Sequence, residues 1–375
     1  MPVFDEEMKN AAINALQNEK FVMGESVFKF EEEFAQYCGV KRAVSTSSGT
    51  FALQFALQAL EVKSKDKVVT TPFSFIATSN SIYSAGATPI FADVDSKSCN
   101  INLTEAKRKI TKETKAVLPV HLYGYPFDLD SAAELIEDGK RIMVEDCCQA
   151  HGAEYRGKKV GGFGSAGCFS FYSAKNMTVG GDGGMAVTND EDLAKKIGKL
   201  RDCGRISHYE HDLIGFTARL NTVNAAIGRV QLKRLDGWNE KRRNVAKLYE
   251  KLLSDVAGLE LPPSENRKVL PVYHLYVVKT HLRDELKAHL EANGIQCGIH
   301  YPIPIHLQPI YRQLYSYEEG DFPKSELASN QVLSLPMYPN MKEAVVEQVS
   351  QSIHDFFALK MKDVTNEKGD LRRIG

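Results

Sequence analysis

Short apolar runs alternate with amphipathic segments over the first two thirds of the chain. Lys67–Pro72 (KVVTTP), Thr88–Val94 (TPIFADV), Ala116–Val120 (AVLPV), Arg141–Glu145 (RIMVE) and Gly167–Phe171 (GCFSF) read as buried strands. Helical patterns such as Phe51–Leu60 and Ser131–Asp138 lie between them. Alternation of this kind predicts an α/β fold with a mainly parallel sheet covered by helices. Gln231–Leu253 is long, charged and amphipathic and predicts a helix, which Gly237 weakens near its start. A turn cluster, LPPSE at 261–265, follows. The apolar run Pro271–Val278 then opens a smaller α/β domain with helices over Arg283–Asn293 and Glu343–Leu359. The expected division is a large domain over 1–235 and a small one over 236–375, joined by the helix at about 231–253. The polar end, Asp363–Gly375, is expected to fray.

Composition narrows the class. The chain has 375 residues, 43% of them apolar and 25% charged, enough for a sizeable core. Its net charge of −1 gives no basic surface for nucleic acid or anionic membrane. No run reaches the roughly 18 apolar residues of a membrane span, and the acidic start, MPVFDEEMKN, lacks an apolar signal core. Seven cysteines, irregularly spaced and without C-x-x-C, read as reduced thiols of a cytoplasmic protein.

Four segments carry candidate chemistry. Ser45–Thr50 (STSSGT) runs into a helix, so Ser48, Gly49 and Thr50 present free N–H groups where the dipole favours an anion. Taken alone, the same string also suits plain helix capping. Asp146 ends the RIMVE strand, at the edge where ligands collect in open α/β sheets, and a carboxylate there suits a protonated heterocyclic nitrogen. It could equally cap the next turn. Gln149 lies where it could bond a ring hydroxyl, and His151 is placed at the same mouth. Lys175 follows the strand FSFY and precedes a run with four glycines. In an apolar, confined setting its amine loses its proton and attacks an aldehyde. Ser170 is placed to give a hydroxyl to a phosphate, and Phe75, in PFSFIAT, to stack on a ring. Together these are the four parts that pyridoxal 5'-phosphate requires.

Two motifs point elsewhere. Gly162–Gly167 (GFGSAG) matches G-x-G-x-x-G, yet it follows the hairpin-like YRGKK and precedes a strand, the wrong context for a dinucleotide fingerprint. His208 and His211 form H-x-x-H without the further ligands a zinc site needs, so no metal is expected.

The chain resembles the DegT-type sugar-nucleotide aminotransferases, a branch of the fold-type I enzymes that use pyridoxal phosphate. The markers run in order from about Phe21 to about Ile353 and include STSSGTFALQFALQAL, PFSFIATSNSI, GATPIFADVD, VEDCCQAHGAEYRGKKVGGFGSAGCFSF, AKNMTVGGDGG, VNAAIGRVQLKRL and LPMYP. The resemblance implies Lys175 as the Schiff-base lysine, Asp146 as ring-nitrogen partner, and Gln149 at the ring hydroxyl. It also implies Ser170, Gly49 and Thr50 at the phosphate and Phe75 on the ring. It implies a homodimer with shared sites, the loop Gly215–Asn221 (GFTARLN) reaching the partner's phosphate. There the chain has Thr217 where the family has Asn, with Arg219 retained. His300, Tyr301 and His306, in GIHYPIPIHLQPIY, fall near the family's substrate region. The implied reaction moves an amino group from L-glutamate, by way of pyridoxamine 5'-phosphate, to a keto-sugar carried on a nucleotide. The alternatives are a sugar dehydratase using the same cofactor, a non-catalytic regulator binding cofactor or sugar, and an enzyme acting on amino acids alone.

Overall fold

A computed structural model describes residues 4–136, 139 and 141–371, with side chains up to residue 360. The chain opens with two helices, α1 (Glu6–Asn18) and α2 (Glu25–Cys38). The carboxylate of Asp5 starts the first by accepting from the N–H groups of Glu7 and Met8. Strands and helices then alternate: β1 (Arg42–Thr46), α3 (Gly49–Ala59), β2 (Lys67–Thr70), α4 (Ala77–Ser84), β3 (Thr88–Phe91), α5 (Leu103–Lys109), β4 (Thr114–Leu118), α6 (Leu129–Glu134) and β5 (Ile142–Asp146). A hairpin of β6 (Glu154–Tyr155) and β7 (Lys158–Lys159) follows. It turns at Arg156 and Gly157, both at positive φ, as the twist of a tight hairpin requires. After it come β8 (Ala166–Ser170), β9 (Gly184–Thr188) and α7 (Glu191–Leu200).

Seven of these strands form one sheet in the order β1-β9-β8-β5-β4-β2-β3. Every neighbouring pair from β8 to β3 is parallel, whereas β9 is antiparallel to both β8 and β1. The expected strands are therefore present, and the sheet is mainly parallel as the alternation predicts. β1 and β9 are additions. Both are five residues long and almost wholly buried, so they carry no two-residue polar alternation.

Both faces of the sheet are covered. Phe30 and Phe34 of α2 pack with Phe169 and Phe171 on one side. Leu53, Phe55 and Leu57 of α3 pack with Val68, Val144 and Cys168 on the other. The arrangement puts the carboxyl ends of β1, β5 and β8 at one edge, which is the edge that holds ligands in such sheets.

The long helix is longer than expected: α8 spans Thr222–Leu253, so the expected boundary at 235/236 falls inside it. Its first turns, VNAAIGRVQL, are buried nearly all round, which erases the amphipathic signal there. Gly237 does not interrupt it. Beyond α8, β10 (Val269–Leu270) pairs with β6. β11 (Tyr276–Lys279) pairs antiparallel with β12 (Val332–Leu335). Helices α9 (Arg283–Ala292), α10 (Pro309–Tyr315), α11 (Pro323–Gln331) and α12 (Glu343–Leu371) complete the chain. Tyr249 of α8 and Tyr276, Leu286, Leu333 and Ile353 share one core. Where fraying is expected from Asp363, α12 continues to Leu371, and residues 372–375 lie outside the described residues. The expected helix at Ser131–Asp138 begins earlier, at Leu129, and Asp138 itself lies outside the described residues.

Candidate active site

A cavity of about 440 Å³ opens at the carboxyl edge of the sheet. Its wall brings together Ser48, Gly49, Thr50, Phe75, Asp146 and Gln149. Ser170, Lys175, His300 and Tyr301 stand on it as well. Ten sequence-selected residues from five separate parts of the chain thus meet in one place.

The floor is built by β1 and α3. Ser48 has extended backbone and its hydroxyl accepts from Phe51 N, leaving the N–H groups of Gly49 and Thr50 at the open first turn. Capping and an anion site are therefore compatible here. Two glycines make the cup possible. A Cβ on Gly49 would lie 2.7 Å from the Ser170 Cβ and 2.9 Å from the Cys148 sulfur. A Cβ on Gly184 would lie 2.3 Å from the Ser48 carbonyl oxygen and 2.7 Å from Gly49 N. Only without those carbons can β8 and β9 press against the start of α3.

Asp146 sits at the end of β5 with 3% of its surface exposed. One carboxylate oxygen accepts from Thr78 Oγ1 at 2.8 Å and the other from Cys148 N at 3.1 Å. Ser74 and Thr78 hydroxyls are 3.0 Å apart, which fixes Thr78 in turn. No lysine or arginine pairs with Asp146 among the described residues. A buried carboxylate without a cation is costly and therefore suited to a positively charged ligand atom.

Lys175 follows β8 on a short turn, its N–H bonded to the Tyr172 carbonyl. Part of its surface reaches the cavity, yet protein surrounds the amine. Loss of hydration pulls its ammonium below the ordinary value of 10.5, against the opposing influence of Cys148 and Asp146. It forms no ion pair among the described residues. Burial, and after it the nearby lysine, lowers the pKa of His274 and His300 as well.

Gln149 is fixed at both ends: it accepts from Tyr123 N at 2.7 Å and donates to the Tyr301 hydroxyl at 2.8 Å. Phe75 is 55% exposed, its ring 6.2 Å from that of Tyr301, so one face stays open to the cavity. His300 bonds the Ser334 hydroxyl through Nδ1 at 2.9 Å.

Other selected residues lie elsewhere. His151 is wholly buried against Phe169 and Phe171 and is not at the mouth; burial brings its pKa down to about 3. His306 is buried against Phe322 and bonded to Glu326 at 3.0 Å, away from this wall. Thr217 is exposed, 3.3 Å from the Cys203 sulfur, and Arg219 pairs with Asp202 at 2.7 Å. Neither lines this chain's own cavity. His211 bonds the Cys203 carbonyl and His208 lies against Tyr209.

The glycine motif at 162–167 has a clear structural use. Gly161, Phe163 and Gly164 each donate an N–H to the buried Glu145 carboxylate, at 2.8–2.9 Å, and His121 Nε2 lies 3.1 Å from it. The loop cradles an anion of its own chain. Glu145, His121 and Cys147 approach one another as metal ligands do, but the glutamate oxygens are already taken by these donors.

Sequence reasoning passed over Thr78, Ser74 and His274. The spacing Ser74–Thr78, one helical turn, was the available signal for the first two. His274 sits in an apolar run and gave none.

A model described as the DegT/DnrJ/EryC1/StrS aminotransferase family matches residues 2–354. The chain is 39% identical over 358 residues to a pleiotropic regulatory protein of Geobacillus stearothermophilus, covering 95% of this chain and 94% of that one. It is 38% identical over 346 residues to the dTDP-3-amino-3,4,6-trideoxy-alpha-D-glucose transaminase of Streptomyces venezuelae, covering 92% and 91%. Among solved structures it resembles S. venezuelae DesV in complex with a ketimine intermediate, with TM-score 0.91, 38% identity and 94% of each chain covered.

Proposed function

We propose that this chain, which belongs to the DegT/DnrJ/EryC1/StrS aminotransferase family, transfers an amino group from L-glutamate to a keto-sugar carried on a nucleotide, using pyridoxal 5'-phosphate held at Lys175. The observation that carries the reading is the meeting of a depressed lysine amine, a cation-free buried carboxylate and an open helix start in one cavity. The residues fit the cofactor. The cup between α3 and Ser170, which a single Cβ would fill, suits its phosphate. Asp146 suits its ring nitrogen, Gln149 its hydroxyl and Phe75 its ring face.

When bound, the cofactor supplies an aldehyde for the amine and a ring that withdraws electrons from the substrate carbon. Asp146 keeps a proton on the ring nitrogen. Lys175 Nζ, whose enclosure favours the uncharged amine, would take a proton from the substrate carbon and return it. The α3 N–H groups and the Ser170 hydroxyl hold the phosphate dianion in place.

The active form in this reading is a homodimer, with Thr217 and Arg219 of one chain reaching the other's phosphate. Exposed Ile206, Tyr209 and Ile214, in the segment that leads into that loop, support a buried partner face. Residues up to about 235 would form the cofactor domain, and 236–375 the smaller one. The seven free thiols suit the cytoplasm. His300 and Tyr301 face the cavity and are the substrate candidates; His306 supports the fold behind them.

The relative named a regulatory protein favours a second reading, binding without turnover. A regulator has no need of both a depressed lysine and a cation-free Asp146. The test is the visible spectrum of the purified holoprotein before and after L-glutamate, followed by a panel of keto-sugar nucleotides. A glutamate-dependent change that a keto-sugar nucleotide reverses supports transamination. A stable spectrum with every donor and sugar would leave the regulatory reading.

A further inference from the structure

A second cavity, of about 360 Å³, shares Tyr172, Ala174 and Lys175 with the first. Its far wall is made by α8 and the segment Met337–Pro339 and includes Trp238 and Arg242. The two cavities differ in charge. On the first, Lys175 is the only lysine or arginine among the described residues, and its amine is committed to the cofactor. An amino-acid donor brings at least one carboxylate to that place; the partner's Arg219 is assigned to the phosphate in the reading above, and this chain's own wall of the first cavity has no other lysine or arginine among the described residues to meet the carboxylate.

Arg242 fills this gap. It is 6% exposed and has no carboxylate partner among the described residues. Its Nη1 donates to the carbonyls of Tyr273, His274 and Met337, at 3.0–3.3 Å. Nε has no acceptor, and the hydrogen bonds that Arg242 makes among the described residues all come from Nη1. Loss of hydration alone brings its pKa down to about 10, so it stays charged at neutral pH. A buried guanidinium without a counter-ion is unfavourable, and an anion in the cavity would relieve it.

We propose that the second cavity is a carboxylate subsite in which Arg242 receives a carboxylate of the amino donor, or of the 2-oxo acid it becomes. The inference rests on the aminotransferase reading above. The anion could in principle be the diphosphate of the nucleotide. The shared wall at Lys175 and the confined volume favour a small dicarboxylate over a nucleoside diphosphate.

Glutarate, which has both carboxylates and no amine, is the probe. Its affinity for the holoprotein is measured by calorimetry for wild type, Arg242→Gln and Arg242→Lys, with cofactor absorbance and melting temperature as controls for folding. The glutarate Kd should rise about tenfold to a hundredfold in Arg242→Gln, and less in Arg242→Lys. The Kd for dTDP and UDP should not change. Should Arg242→Gln fail to fold, Arg242→Lys carries the test, because it keeps the charge and loses the planar fork. No glutarate binding by wild type, unchanged glutarate binding in the variants, or a loss of nucleotide affinity instead would overturn the proposal. A wild type that binds glutarate through Arg242 but shows no spectral response to L-glutamate would sink the donor assignment and leave the subsite standing.

Discussion

Gly184→Ala tests whether close backbone approach builds the phosphate cup. The added Cβ would lie 2.3 Å from the Ser48 oxygen, 2.4 Å from the Ser48 carbonyl carbon and 2.7 Å from Gly49 N. Ordinary contact begins at 3.4 Å. All three atoms are backbone, so no side chain can swing aside, and β9 and the start of α3 must part by about 1 Å. Overpacking of this kind costs about 1–3 kcal/mol of stability. The same displacement moves the Gly49 and Thr50 N–H groups away from Ser170. A hydrogen bond to a charged group is worth about 1.5–3 kcal/mol, and 1.4 kcal/mol is tenfold in affinity. Weakening one such bond should therefore raise the cofactor Kd about tenfold or more. The assay is titration of the apoprotein with pyridoxal phosphate by absorbance, paired with guanidinium unfolding of the apoprotein. Gly198→Ala is the control, because its Cβ would meet nothing within 4 Å on α7. That change should be neutral or stabilise by up to about 1 kcal/mol. Wild-type cofactor affinity and stability in Gly184→Ala would refute the reasoning.

The other predictions are briefer. Glu145→Gln removes one of the acceptor oxygens that hold Gly161, Phe163 and Gly164 and weakens the bonds to the other. It should cost about 3 kcal/mol in chemical unfolding, and a loss under 1 kcal/mol would show that the loop does not depend on the charge. Thr78→Val leaves the Asp146 oxygen without its hydroxyl donor. The apoprotein should lose about 1.5–3 kcal/mol, with slower turnover at saturating cofactor; unchanged turnover would remove Thr78 from the site. Lys175→Met should stop transamination and, in the apoprotein, raise stability at pH 7. The folded pKa of Lys175 lies below 10.5, so the unfolded chain binds more protons between the two values and wild-type stability rises with pH there. The gap between variant and wild type should close as the pH approaches 10.5, and a gap independent of pH would contradict the burial argument.

The sequence by itself determined the alternating α/β order, the five parallel strands and the identity of the residues that gather around the cavity. These follow from local facts: apolar runs short enough to be strands, a hydroxyl-rich helix start, a carboxylate at a strand end. Patterning failed where burial is complete. β1, β9 and the first turns of α8 are buried nearly all round, so the polar face that reveals a period is missing. It could not separate His300 and Tyr301, which face the cavity, from His306, which packs behind it on the same loop. Only the tertiary structure placed Thr78 on Asp146, gave the glycine motif its own glutamate, and put Arg242 and Lys175 on the wall of one cavity. Each of those depends on residues far apart in the chain arriving within hydrogen-bond distance or on one cavity wall, and no local pattern encodes that meeting.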